Sequence, residues 1–147
     1  MLVRDNMTRD VRTVAPETTI QEAARLMAEA DVGALPVAAG DRLAGIVTDR
    51  DIAVRAVAIG RGPATTVAAV MSLEVLYCHE DEDIGHISAN MAENQVRRLP
   101  VVDVDKRLVG IISLADIADA RASEAGEALE GITRPGGERS QSIEGRA

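Results

Sequence analysis

The chain has 147 residues, a formal net charge of −8 and 46 % hydrophobic residues, enough apolar material for a packed core, which excludes wholesale disorder. No apolar run approaches the roughly 20 residues of a membrane helix, no charged leader precedes an apolar stretch, and the single Cys78 excludes an internal disulfide, so a cytoplasmic protein without a membrane partner is expected. With no Trp, no Phe and one Tyr on an acidic chain, both the stacking rings and the basic surface of nucleic-acid binders are missing, and no nucleic-acid partner is expected.

In chain order, a short extended piece is predicted over Arg12–Ala15, ended by Pro16. Thr18 or Thr19 then caps a helix, with Glu22 three residues after Thr19 to close a capping box. Ile20, Ala23, Ala24, Met27 and Ala30 recur at helical spacing and form its apolar stripe. Two apolar strands follow across a polar turn, Ala34–Ala38 and Leu43–Val47, as a hairpin. A second helix starts at Thr48 or Asp49 and runs to about Ile59. Gly60–Thr66 reads as a linker, and Thr66–Met71 as one short helical turn. The order then recurs. Val75–Cys78 is extended, Asp83 caps a helix striped by Ile84, Ile87, Ser88 and Met91, strands span Leu99–Val102 and Leu108–Ile112, and a last helix runs from Ser113 to about Ala125. Periodicity fades beyond it, and residues 126–147 read as a mobile tail in which Ile143-Glu144-Gly145-Arg146 matches an engineered protease cleavage site.

This recurrence is an internal repeat. Met7 matches Met71, Ile20 matches Ile84, Val32 matches Val96, and Leu35-Pro36-Val37 matches Leu99-Pro100-Val101, all 64 positions apart. After one inserted residue in a polar turn, Gly45-Ile46 matches Gly110-Ile111 and Asp51-Ile52-Ala53 matches Asp116-Ile117-Ala118, 65 apart. Each copy reads strand, helix, strand, strand, helix. A unit of this size is too small to bury a good core alone, so the two are expected to pack on each other through their sheets in an α+β fold of mixed layers. The boundaries expected are 1–60 for the first unit, 61–70 for the linker and 71–125 for the second. Ile52, Val54, Ala56 and Val57 put apolar residues on more than one side of the helix from Asp49 to Ile59, which together with Leu114–Ala125 leaves a face for a second copy and predicts a homodimer.

The strongest chemical signal closes each hairpin. Gly45-Ile46-Val47-Thr48-Asp49-Arg50-Asp51 and Gly110-Ile111-Ile112-Ser113-Leu114-Ala115-Asp116 both run glycine, two aliphatics, hydroxyl, two variable positions, aspartate. The hydroxyl falls where a strand becomes a helix, a place with free N–H groups for a phosphate. The aspartate lies almost one turn on, where a carboxylate can accept both hydroxyls of a ribose, and glycine permits close backbone approach. The same spacing also makes an ordinary capping box, and for one copy taken alone capping is the first reading. Cys78-His79-Glu80-Asp81-Glu82-Asp83, with His86, holds metal-ligand types, but an acidic helix start explains it better. No Ser/His/Asp set is evident. No catalytic residue, no metal and no enzymatic activity are therefore expected.

Together, the paired Leu-Pro-Val strands and the segments Leu43–Ile52 and Arg107–Ile117 resemble a tandem pair of cystathionine β-synthase (CBS) domains, a Bateman module, over roughly residues 3–122. The resemblance implies two βαββα units packed pseudo-symmetrically, two clefts between them, and a homodimer. It implies an adenosine ligand (AMP, ADP, ATP, NAD or S-adenosylmethionine) and no catalytic cofactor. It assigns the ribose-binding carboxylates to Asp51 and Asp116 and the phosphate-side hydroxyls to Thr48 and Ser113. The adenine-lining backbone falls at Gly33-Ala34 and Arg97-Arg98, just before Pro36 and Pro100 of the strands, with aliphatic walls from Val11, Ile46, Val75 and Ile111. Arg50 stands in the first motif where the second has Ala115, and pairs with a phosphate in this reading. One of Arg97 and Arg98 is expected to face the cleft and the other solvent, so the two sites should differ in phosphate preference. The expected function is a regulatory module that senses adenine nucleotides and signals to a separate effector protein. The alternative is an interaction scaffold with vestigial ligand sites.

Overall fold

A computed structural model describes residues 1–122, so the predicted tail over 126–147 lies outside the described residues. The elements in chain order are α1 (Ile20–Ala30), β1 (Ala34–Ala39), β2 (Arg42–Thr48), α2 (Asp49–Arg55), β3 (Cys78–His79), α3 (Ile84–Asn94), β4 (Arg98–Val102) and β5 (Leu108–Ser113). A final helix, α4, occupies residues 114–122 of the described chain. The architecture is α+β.

Thr19 caps α1 as predicted, its hydroxyl accepting from Glu22 N at 3.2 Å. The box is only half made, because the Glu22 carboxylate turns to Arg25, 2.5 Å away, instead of back to the cap. Ile20, Ala23 and Met27 are buried while Ala24 is exposed, so the stripe is narrower than the sequence suggests. Both first helices end on a left-handed residue, Asp31 and Gln95, which are repeat mates. Asp83 caps α3 by accepting from Gly85 N. A hydrogen bond from the amino-terminal ammonium, 3.3 Å away, is the main reason its carboxyl sits below the usual range.

The hairpins form as read, β1 with β2 and β4 with β5, each with a register shift at the same place, Val37/Ala38 and Val101/Val102. The extended pieces ahead of the helices are shorter than predicted. Arg12–Ala15 reduces to one bridge, Val14 to Val37, and Val75–Cys78 to the two-residue β3, parallel to β4. In the latter stretch Leu76 and Tyr77 are exposed, so burial drives little of it onto the sheet. The second helix also stops early. Ala56 is buried and leaves helical geometry at φ −122, a 3-10 turn covers Val57–Ile59, and Gly60 ends it at φ 80. Arg61 N donates to the Ala56 carbonyl at 2.9 Å and closes that turn.

Two cores result, and each borrows from the segment that leads the other repeat. Val67 and Val70 complete the first core, beside Val14, Ile20, Met27, Leu35 and Val47. Val3 completes the second, beside Cys78, Ile87, Met91, Leu99 and Ile112. The borrowed segments are also hydrogen bonded. Thr8 and Ile111 exchange backbone hydrogen bonds at 2.9 Å each, and Ser72 and Ile46 do so at 2.9 and 3.0 Å. The hairpin tips meet as well: Leu108 N donates to the Asp41 carbonyl at 2.8 Å, and Arg107 pairs with Asp41 at 3.0 Å.

Candidate functional site

At both strand-to-helix junctions the hydroxyl and the aspartate form a complete capping box. Asp51 N donates to Thr48 Oγ1 at 3.0 Å while Asp51 Oδ2 accepts from Thr48 N at 2.9 Å. Ser113 and Asp116 repeat the pair at 3.1 and 2.9 Å. In each carboxylate these bonds involve a single oxygen. The other oxygen of Asp51 lies 3.8 Å from Arg55 Nε, whereas the repeat mate of Arg55 is Ala120, and Asp116 has no ion-pair partner among the described residues.

The two motif glycines do not face the cleft. A Cβ added at Gly45 would lie 2.7 Å from the Ser72 carbonyl oxygen, and one at Gly110 would lie 2.8 Å from that of Thr8 and 2.6 Å from Met7 Sδ. Close backbone approach is what the glycine provides, but the approaching backbone is the crossing segment of the other repeat. Met7, Thr8, Met71 and Ser72 are structural partners that sequence reasoning missed, although the 64-residue match of Met7 to Met71 was the available signal.

Between the repeats lies a cleft of about 250 Å³, here cleft A. Gly33, Ala34, Pro36, Ile46 and Thr48 line it from the first repeat, and Arg97, Arg98, Pro100 and Ile111 from the second, with Val96 added. β1, β2, β4 and β5 position seven of these ten, and Gly33, Val96 and Arg97 lie just ahead of β1 and β4. Beside it cleft B, about 210 Å³, brings Val11 together with Ala34, Pro36, Arg98 and Ile111, and adds Asp10, Arg12 and Val32. Cleft A gathers four pairs of repeat mates, 33/97, 34/98, 36/100 and 46/111, and so lies where the two repeats face each other, with cleft B to one side; Val32 and Val96, also repeat mates, were absent from the predicted set. Both arginines line cleft A, which departs from the expected division between cleft and solvent; residue 97 precedes β4, so strand alternation does not govern the pair.

The remaining predicted residues lie outside both linings. Arg50 is exposed on α2, its N–H donating to Asp49 Oδ1 at 2.8 Å. Asp51, Ser113 and Asp116 sit half-buried at the junctions. Val75 lies in a shallow hollow of about 30 Å³ beside Leu43, Tyr77 and Lys106, and Lys106 Nζ sits 5.4 Å over the Tyr77 ring. Asp49 is a further residue missed by the sequence reading. Its backbone N–H donates to the Gly33 carbonyl at 2.9 Å, and its Oδ2 lies 3.0 Å from where a residue-33 Cβ would be.

Among the described residues the lining of cleft A carries two guanidinium groups and no carboxylate, and Arg97 and Arg98 are exposed and form no ion pair. In cleft B, Arg12 is engaged with Glu29 at 3.4 Å. Away from the clefts, burial first and the nearby Glu82 second push the Cys78 thiol up to about 12, so it is protonated at neutral pH and a poor metal ligand. Among the described residues no three His, Cys, Asp or Glu side chains gather as a metal site, and no helix is long and apolar enough to cross a membrane.

Two pseudo-symmetric βαββα units with clefts between them define a tandem α+β repeat, and the chain belongs to the CBS domain family, whose model matches residues 3–57 and 67–123. It is 47 % identical over 133 residues to the CBS domain-containing protein YhcV of Bacillus subtilis, spanning 89 % of this chain and 94 % of that one. It resembles the crystal structure of the CBS domain pair of protein MJ0100 in complex with 5′-methylthioadenosine and S-adenosyl-L-methionine. The TM-score is 0.71 at 30 % identity, covering 84 % of this chain and 98 % of that one. It also resembles CBSX2 in complex with AMP, with a TM-score of 0.76 at 27 % identity and the same coverage.

Proposed function

We propose that the chain is a regulatory module without catalytic activity. It binds an adenosine ligand (AMP, ADP, ATP, NAD or S-adenosylmethionine) in the clefts between its repeats and signals to a separate effector protein, acting in the cytoplasm as a homodimer. The observation that carries this reading is cleft A. It gathers the two backbone segments ahead of the Leu-Pro strands, both prolines, the aliphatic walls Ile46 and Ile111 and the Thr48 hydroxyl from two repeats. Apolar walls suit an adenine ring, and two uncommitted guanidinium groups suit a phosphate or carboxylate. The ribose falls to the carboxylate oxygens of Asp51 and Asp116 that the capping boxes leave unused, that of Asp51 being exchanged from its Arg55 pair. The complexes of MJ0100 and CBSX2 support an adenosine ligand.

One observation favours the scaffold reading instead. Both aspartates are engaged in capping boxes, which accounts for them without any ligand. Thermal unfolding with AMP, ATP, NAD and S-adenosylmethionine separates the two. A ligand of the native state at a hundred times its Kd stabilises by about 2.7 kcal/mol and raises the melting temperature. No shift with any of the four at millimolar concentration overturns the ligand-binding reading and leaves the scaffold.

A further inference from the structure

Clefts A and B adjoin, and four residues line both: Ala34, Pro36, Arg98 and Ile111. Three are apolar, and Arg98 alone carries charge. Its repeat mate is Ala34, so the pseudo-symmetry supplies no second guanidinium in the equivalent place. Arg97 lines cleft A only. In cleft B the other cation, Arg12, is paired with Glu29 at 3.4 Å, and Asp10 adds a carboxylate. Arg98 is thus the one positive group common to both clefts, and it forms no ion pair among the described residues. The clefts measure about 250 and 210 Å³.

We infer that Arg98 is a single guanidinium shared by two adjoining ligand sites, and that it couples them negatively for phosphate-bearing ligands. The inference rests on the adenosine reading above. A guanidinium presents its parallel pair of N–H donors to one anion at a time. A phosphate arriving in cleft A meets Arg97 and Arg98 and engages both. A second phosphate in cleft B then finds Arg98 committed, Asp10 nearby, and a like charge across the shared wall. An uncharged adenosine meets none of these terms, so its two binding steps are independent of Arg98.

The experiment is calorimetric titration of the full chain with AMP and with adenosine, for wild type and Arg98→Ala, which places at 98 the residue the first repeat already has at 34. Arg98 is exposed on β4, so the variant is expected to fold. Wild type should show two AMP steps at least tenfold apart and adenosine steps closer together. Arg98→Ala should weaken one AMP step tenfold or more, leave the other within about threefold, and leave both adenosine steps within about threefold. Weakening of both AMP steps, of neither, or of adenosine alongside AMP overturns the sharing of Arg98 while the adenosine reading stands. Failure of wild type to bind either compound overturns that reading and the inference with it.

Discussion

Gly45 and Gly110 show how one missing methyl group sets a fold. Each lies under a carbonyl of the opposite repeat's crossing segment, and backbone at 2.7–2.8 Å has no room to yield. Gly45→Ala should therefore act as overpacking and destabilise by about 1–3 kcal/mol, read by urea denaturation. An unchanged midpoint would mean that the Ser72 carbonyl moves freely. Cys78 offers a second test. Its thiol is pushed up to about 12 in the folded chain, against 9.0 for an unhindered thiol. Between those values the unfolded state sheds the proton and the folded state keeps it, so the contribution is complete below about pH 9 and lost as pH rises towards 12. Wild type should lose more stability over that window than Cys78→Ala, and equal slopes would contradict the burial of the thiol.

At the scale of elements, the junctions carry two meanings that the sequence alone does not separate. A hydroxyl followed three residues later by a carboxylate is what a capping box needs and also what a ribose-phosphate site needs. Spacing located Thr48, Asp51, Ser113 and Asp116, while the hydrogen bonds show what they do in the unliganded chain. Asp51→Ala and Asp116→Ala should each cost about 0.5–2 kcal/mol of stability without ligand, as lost caps do. On the proposed function each should also abolish one adenosine site, seen as halved stoichiometry in calorimetry. Stability lost with binding intact would assign the aspartates to capping alone. The hairpins were legible because alternation and turn residues are local. The stretches ahead of α1 and α3 were legible as extended but not in their length, because Val14 and Cys78 pair with strands more than twenty residues away. Likewise the stop of α2 depends on Ala56 entering a core that no local pattern describes.

For the whole molecule, the repeat foretold two units and a place between them, and the leucine-proline strands located most of the lining of cleft A. The sharing of Arg98 was hidden, since it depends on two clefts touching. Among the described residues Val57 and Ile59 are exposed by 66 % and 63 %, and Val54 and Leu114 are also open, apolar side chains that a second copy would cover. On the proposed homodimer, light scattering should find twice 15.5 kDa for wild type. Val57→Asp combined with Ile59→Asp should shift it towards the single-chain mass. A wild-type monomer at high micromolar concentration would contradict this use of the surface.

The crossed segments make neither half of the chain a self-sufficient folding unit. During synthesis the first hydrophobic core stays open until Val67 and Val70 have been made, long after its own strands are complete. The second holds a place for Val3, which is made long before that core's own strands. Segments made far apart in time are thus brought together in space. Melting should therefore proceed as one event for both halves, without a stage in which one repeat survives alone. Removing residues 1–5 takes away Val3 and the backbone bonds from Val3 N to the Glu82 carbonyl and from Arg4 N to that of Glu80, both 2.9 Å. The damage should appear first as faster hydrogen exchange around Ile87 and Ile112, some eighty or more residues from the cut.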